Sequence, residues 1–143
     1  MKIIIFILIL WYGGLFFQSF FLHRYSAHQV FTMSKTMERI TFVLTWIFQG
    51  PSYLSAYGYG IMHRMHHAFT DTKKDPHSPS YDSSLFAMMW KTKTIYHDIN
   101  EQRIEVDQRF IKNVPQWKSF DLFASSNFSR IFWIFSYLLY FSF

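Results

Sequence analysis

The chain has 143 residues, half of them hydrophobic and 22% aromatic, whereas only 16% carry a formal charge. This composition excludes disorder, collagen and coiled coil, and the absence of cysteine excludes disulfides, thiolate metal sites and a cysteine nucleophile. The net charge of +5 comes mainly from the flanks of apolar segments, because residues 70–130 hold nine basic and eight acidic side chains. That distribution is typical of a membrane protein and argues against a nucleic-acid partner.

The first apolar segment, residues 3–22, carries no formal charge. At about 1.5 Å per residue it spans roughly 30 Å, which is the thickness of the hydrocarbon core of a bilayer. A signal peptide is the alternative, but Lys2 would be its only basic residue, and no alanine before Ala27 offers a cleavage site. We therefore predict a retained transmembrane helix.

A second uncharged segment covers residues 40–62 and is interrupted by Gly50 and Pro51. A Gly-Pro pair within an apolar run ends or kinks a helix. The segment could therefore span the membrane with a kink, or form two short helices that dip in and return. We favour a re-entrant or interfacial arrangement, for the reason given with the histidines below.

The polar part of the chain, residues 63–130, is predicted to lie outside the membrane. Ser83 or Ser84 can cap a helix that runs to about Ile99, and this helix could lie in the membrane interface or pack on other protein. Residues 131–143 are apolar again, but about 20 Å is too short to cross a bilayer. We expect these residues to begin a truncated transmembrane helix of a longer protein.

Five of the seven histidines fall into two clusters, each at the end of an apolar segment. His23 and His28 have the spacing H-x4-H, and His63, His66 and His67 have the spacing H-x2-H-H. Neutral imidazole binds iron, zinc, copper and nickel, and ionisable groups beside membrane segments are candidates for function. We therefore predict a metal site rather than two sets of interfacial polar side chains.

Helical geometry constrains how the two clusters could share a metal site. At about 100° per residue, His66 and His67 diverge by about 100°, so each can face a different ion. His23 and His28 are about 140° apart on a straight helix, so a pair of ions or a distorted helix end is needed. One centre also requires both clusters on one membrane face, so residues 40–62 must return. The positive-inside rule makes that face cytoplasmic.

The other two histidines receive ordinary roles. His77 lies in a loop with two prolines, where a polar loop function is expected, and His97 is expected on a solvated helix surface. No aromatic residue can be assigned to a substrate site from the sequence.

The two clusters and the Asp75-Pro76-His77 loop that follows them resemble the N-terminal half of a membrane fatty acid desaturase. The matching stretches are residues 21–28, 61–67 and 70–79, and the closest type is the bacterial acyl-CoA desaturase of the stearoyl-CoA delta-9 kind. The resemblance implies an all-α membrane protein, a partial transmembrane helix bundle whose cytoplasmic interfacial helices carry histidine boxes. It also implies a multi-pass topology for the full-length protein.

The resemblance further implies two iron ions, with metal ligands at His23, His28, His63, His66 and His67. Such a centre would use dioxygen to introduce a double bond into a fatty acyl-CoA or another acyl-chain substrate, and the protein would contact membrane lipid. Electrons would come from an external donor such as a ferredoxin or a cytochrome b5-like protein.

One departure from the family is plain, because its third histidine box is absent from this sequence. We therefore expect the 143-residue chain alone to be an inactive fragment of a desaturase. A related membrane di-iron hydroxylase, similar to an alkane monooxygenase, and a non-catalytic membrane metal-binding protein are the alternatives.

Overall fold

The computed structural model describes residues 1–142, and every regular element in that range is helical. The predicted all-α class is thus confirmed. The elements in chain order are α1 (Lys2–Phe17), a π-helical segment (Gln18–Ala27), α2 (Lys35–Gln49), a 3-10 turn (Gly50–Ser52), α3 (Ala56–Phe69), a second 3-10 turn (Pro79–Tyr81), α4 (Leu85–Asn100), α5 (Gln108–Ile111), α6 (Lys118–Ala124) and α7 (Asn127–Phe141). Phe143, the last residue of the predicted segment 131–143, lies outside the described residues.

α1 and the π-helical segment form one continuous helix of 26 residues, Lys2–Ala27. It is the one helix among residues 1–142 that is long and apolar enough to cross a membrane, and only 6% of its most apolar stretch is buried. Signal sequences share this length, composition and position near an N-terminus. α7, which covers most of the predicted segment 131–143, has 15 residues and is shorter than a typical span.

The chain reverses direction at the 3-10 turn between α2 and α3. Gly50 adopts a left-handed φ of 55°, and the backbone N–H of Leu54 donates to Gln49 Oε1 at 3.0 Å. α2 runs back along α1, which places the Phe48 ring on Phe17, and α3 then returns along the π-helical segment. Residues 40–62 therefore lie in two helices joined by a turn at Gly50–Ser52.

α4 starts at the predicted cap, because Ser84 Oγ accepts a hydrogen bond from the backbone N–H of Ala87 at 3.2 Å. The C-terminal half of α4 packs on the start of α3, where Tyr96 Oη accepts from the backbone N–H of Ser55 at 2.7 Å. The N-terminal half exposes Phe86 and Trp90, which stack on each other at 6.3 Å. One half of the helix is thus packed on protein, and the other half presents apolar side chains outward.

The contact between the π-helical segment and α3 brings the two histidine clusters together. It contains fully buried side chains from both elements, including Phe21, Leu22 and Ile61, and Ser26 Oγ donates to the carbonyl of Ala56 at 2.6 Å. Gly60 allows this approach, since a Cβ at position 60 would overlap Ser26 Oγ and lie 3.4 Å from the Ser26 backbone.

We expect Gly60→Ala to push α3 away from the π-helical segment. Overpacking of this kind typically lowers the free energy of unfolding by about 1–3 kcal/mol, which offsets the gain of up to about 1 kcal/mol in helix propensity. Thermal unfolding in detergent measures the change. Gly14→Ala is the matched control, because a Cβ there would meet only the Phe48 carbonyl at an ordinary 3.4 Å. Equal stability of the two variants would contradict the close approach at Gly60.

Candidate metal centre

The π-helical segment brings the two histidines of the first cluster onto one side of the helix. A π-helix bonds residue i+5 to residue i, so residues five apart lie one turn apart. The backbone N–H of His28 donates to the carbonyl of His23 at 3.0 Å, and the two ring centroids are 4.5 Å apart. The angle of about 140° between His23 and His28 on a straight α-helix therefore does not apply. The helix end is distorted, which is one of the two alternatives considered from the sequence.

Four imidazoles converge where the π-helical segment meets α3. The candidate ligand atoms of His23, His28, His63 and His67 all lie within 4.8 Å of one another, and we call this group the four-histidine cluster. Nε2 of His63 is 3.1 Å from Nε2 of His28 and 3.0 Å from Nε2 of His67. The Tyr59 ring stacks on the His63 ring at 5.5 Å, which holds the plane of that imidazole.

The four-histidine cluster has nitrogen donors alone, since no carboxylate within residues 1–142 belongs to it. Burial is the main reason that the pKa of His63 falls to about 4, and the neighbours His23 and His67 lower it further. Burial and the same neighbours also lower the pKa of His28. At neutral pH these two rings are therefore uncharged, which leaves lone pairs available for a metal ion.

This donor set fits a first-row transition metal. Neutral imidazole is a common ligand of iron, zinc, copper and nickel, whereas calcium and magnesium prefer oxygen donors. Four adjacent nitrogen atoms whose lone pairs face one another are mutually repulsive unless protons or a cation lie between them. A divalent cation at this position would relieve that repulsion.

Arg64 ties the cluster to its surroundings through backbone carbonyls. Its guanidinium donates to the carbonyls of Ser26 and Ala27, at 2.9 and 2.7 Å, which end the π-helical segment. It also donates to the carbonyls of Phe110 and Lys112, at 3.0 and 2.8 Å. Carbonyls at a helix end lack partners within the helix, so Arg64 satisfies them and joins three elements at once.

His66, the fifth predicted ligand, lies outside the four-histidine cluster. Its Nδ1 is 2.9 Å from Oδ1 of Asp75, a carboxylate whose side chain is completely buried. The His66 ring lies 6.0 Å from the His77 ring. The divergence of His66 from His67 expected from helical geometry is therefore present, and His77 contacts the predicted site although the sequence indicated only a loop role.

A cleft opens beside the histidines and continues along α4. A volume of about 300 Å³ reaches His63, His66 and His77, and it adjoins a wider one of about 870 Å³. The two share the side chains of five residues, Leu54, Tyr59, Met62, His77 and Thr92. Lys93 and Arg130 line the wider part, and so does half-buried His97, which was predicted to be solvated.

Comparison with known proteins gives one partial relative. The chain is 42% identical over 60 residues to the hex-5-enoyl-[acyl-carrier protein] acetylenase of Moorena producens (strain JHB). The matched stretch covers 41% of this chain and 17% of that protein's length. No protein-family profile and no solved structure matches the chain.

Two residues of the site were not predicted from the sequence. Arg64 lies within the second histidine cluster, where its position suggests only a positive flank, and Asp75 is a carboxylate in the loop just beyond that cluster. The sequence signal for Arg64 is a charged side chain between His63 and His66. The signal for Asp75 is an acidic residue nine positions after His66. Neither spacing predicts a contact without the folded loop.

We expect Arg64→Ala to lower the free energy of unfolding by at least about 2 kcal/mol, because hydrogen bonds from a charged donor contribute roughly 1.5–3 kcal/mol each. Arg64→Lys recovers little of this, because one ammonium cannot reach both pairs of carbonyls. Thermal unfolding in detergent, with cobalt(II) affinity as a second readout, measures both variants. Arg24→Ala, an exposed change in the π-helical segment, is the control. Wild-type behaviour of Arg64→Lys would contradict the bridging role.

Proposed function

We propose that this chain forms the part of a membrane fatty acyl desaturase that holds the first two histidine boxes. The observation that carries the proposal is the four-histidine cluster, whose His63 lines the cleft beside it. A metal with nitrogen ligands beside a narrow, mainly apolar space suits oxidation of an aliphatic chain. The likeness to an enzyme named for its action on an acyl chain supports the same class.

Iron is the proposed metal, with two ions in the complete enzyme. When bound, the iron ions supply the activation of dioxygen, and two hydrogens of the acyl chain with two electrons and two protons reduce it to two waters. The four-histidine cluster would hold one ion. His66, which lies outside that cluster, would be a ligand of the other ion. The number of histidines here is too small for two complete coordination spheres, so further ligands would come from a longer protein.

The proposed substrate is an acyl chain carried as a thioester. The narrow part of the cleft, with Leu54, Tyr59 and Met62 on its walls, would hold the chain and exclude water. The basic side chains of Lys93 and Arg130, which line the wider part, suit the phosphate that both CoA and the prosthetic arm of an acyl carrier protein contain. The relative's name favours acyl carrier protein, and the sequence resemblance favours acyl-CoA.

The proposed setting is the cytoplasmic face of a membrane. The helix Lys2–Ala27 would anchor the chain, and the exposed apolar side chains at the start of α4 would rest in the interface. The multi-pass topology and an electron donor such as a ferredoxin or cytochrome b5-like protein complete the proposal.

A membrane hydroxylase is the second candidate, because the same cluster and cleft could serve oxygen insertion. A non-catalytic membrane metal-binding protein is the third. It is less well supported, since the cleft that adjoins the histidines has no role in it.

Product analysis tests the proposal directly. The protein is expressed from its complete gene in a bacterial host, and total fatty acids are examined by mass spectrometry. We expect a product two mass units lighter than its parent for each new double bond. A product heavier by one oxygen atom would instead favour the hydroxylase.

The His63→Ala variant is expected to abolish the new product at unchanged expression, because its ring lies at the centre of the four-histidine cluster. Glu105→Ala, an exposed change in the loop after α4, is the control and should retain activity. Full activity of His63→Ala would contradict the proposed metal role.

A further inference from the structure

Asp75 is completely buried, which is unusual for a carboxylate, and it lies directly behind a predicted ligand. Oδ1 of Asp75 faces Nδ1 of His66 at 2.9 Å and accepts from the backbone N–H of His77 at 2.8 Å. Oδ2 accepts from the backbone N–H of Asp71 at 3.1 Å. The loop that follows α3 is therefore closed around this one carboxylate.

Both side-chain oxygens of Asp75 act as hydrogen-bond acceptors. The backbone N–H of His77 donates to Oδ1 and the backbone N–H of Asp71 donates to Oδ2, an arrangement that suits an ionised carboxylate. An ionised carboxylate only accepts hydrogen bonds. The atom of His66 that faces it must therefore carry a proton, so the ring is protonated at Nδ1.

Nε2, the other ring nitrogen of His66, is unprotonated when Nδ1 carries the proton. With the proton on Nδ1, the neutral ring has its lone pair on Nε2, and Nε2 makes no hydrogen bond within residues 1–142. The ring lines the narrow part of the cleft, apart from the four-histidine cluster. Metal-binding histidines commonly donate their second ring N–H to a carboxylate, which orients the ring and raises its basicity.

We propose that Asp75 is a positioning residue: it holds the proton of His66 on Nδ1 and so presents Nε2 as a ligand for a second metal position. This inference rests on the metal centre of the proposed function, but its first part concerns the metal-free protein. Asp75 contacts neither metal nor substrate, and it acts through His66 alone.

The substitution Asp75→Asn tests this role, because an amide can donate to Nδ1 and drive the proton to Nε2. The protein is expressed from its complete gene, labelled with 15N-histidine and studied without metal in detergent. The 15N shifts of His66, assigned with His66→Gln, report which nitrogen carries the proton. We expect the Nδ1–H form in the wild type and its loss in Asp75→Asn.

Metal titration gives the second readout. We expect Asp75→Asn to weaken iron(II) binding at one position by roughly 10–100-fold, the usual cost of losing such a partner, and to leave binding at the other position unchanged. Asp71→Asn is the matched control: it lies in the same loop, and its side chain accepts from Ser78 rather than touching His66. Asparagine is well suited to the left-handed φ of 56° at position 71.

The outcomes separate this proposal from the proposed function. An Nε2–H form of His66 in the folded wild type would overturn the proposal even if the Asp75→Asn variant fails to fold. An unchanged tautomer and unchanged iron binding in Asp75→Asn would also overturn it. A wild-type protein that shows the Nδ1–H form but binds no iron would contradict the proposed metal centre, while Asp75 would still hold the His66 proton.

Discussion

Between Gln18 and Ala27 the first helix widens from the α to the π hydrogen-bonding pattern, and the geometry of the candidate metal centre depends on that change. On an α-helix, His23 and His28 would point in directions about 140° apart. On the π-helix they are one turn apart, and both rings face α3. Short π-helical stretches are rare but are frequent at functional sites, which suits this position.

The widened helix is held in place from the outside by α3. Gly60 permits close contact with Ser26, and four residues later the Arg64 guanidinium binds the carbonyls that end the π-helix. His63 lies between these two positions on the same helix. The features that position the helices and the features that could bind a metal are therefore adjacent in α3, so damage to the packing would reach the cluster directly.

The charges of the site fall into two different environments. Burial and neighbouring imidazoles lower the pKa of His63, and no carboxylate of residues 1–142 joins its cluster. His66, a few residues on, faces the buried Asp75 carboxylate instead. Two histidines of one H-x2-H-H motif thus differ in their partners: His63 faces other imidazoles, and His66 faces a carboxylate.

Much of this arrangement could be predicted from spacing alone. The break at Gly50 and Pro51 is where the chain turns, Ser84 caps α4, and the divergence of His66 from His67 follows from helical periodicity. The π-helix could not be predicted from the sequence. Hydrophobic periodicity assumes the 3.6 residues per turn of an α-helix, and no residue among 18–27 argues against an ordinary α-helix. The roles of Arg64 and Asp75 depend on contacts between segments distant in sequence, which spacing cannot report.

X-ray absorption on the iron(II)-loaded chain in detergent tests the central claim most directly, because its fine structure identifies imidazole ligands by their outer-ring scattering. We expect one tightly bound ion whose ligands are mainly nitrogen atoms of His23, His28, His63 and His67. We also expect the imidazole contribution to fall when any of these four is replaced by alanine. A chain that binds no iron, or binds it through oxygen with no imidazole signal, would show that the four-histidine cluster is not a metal site.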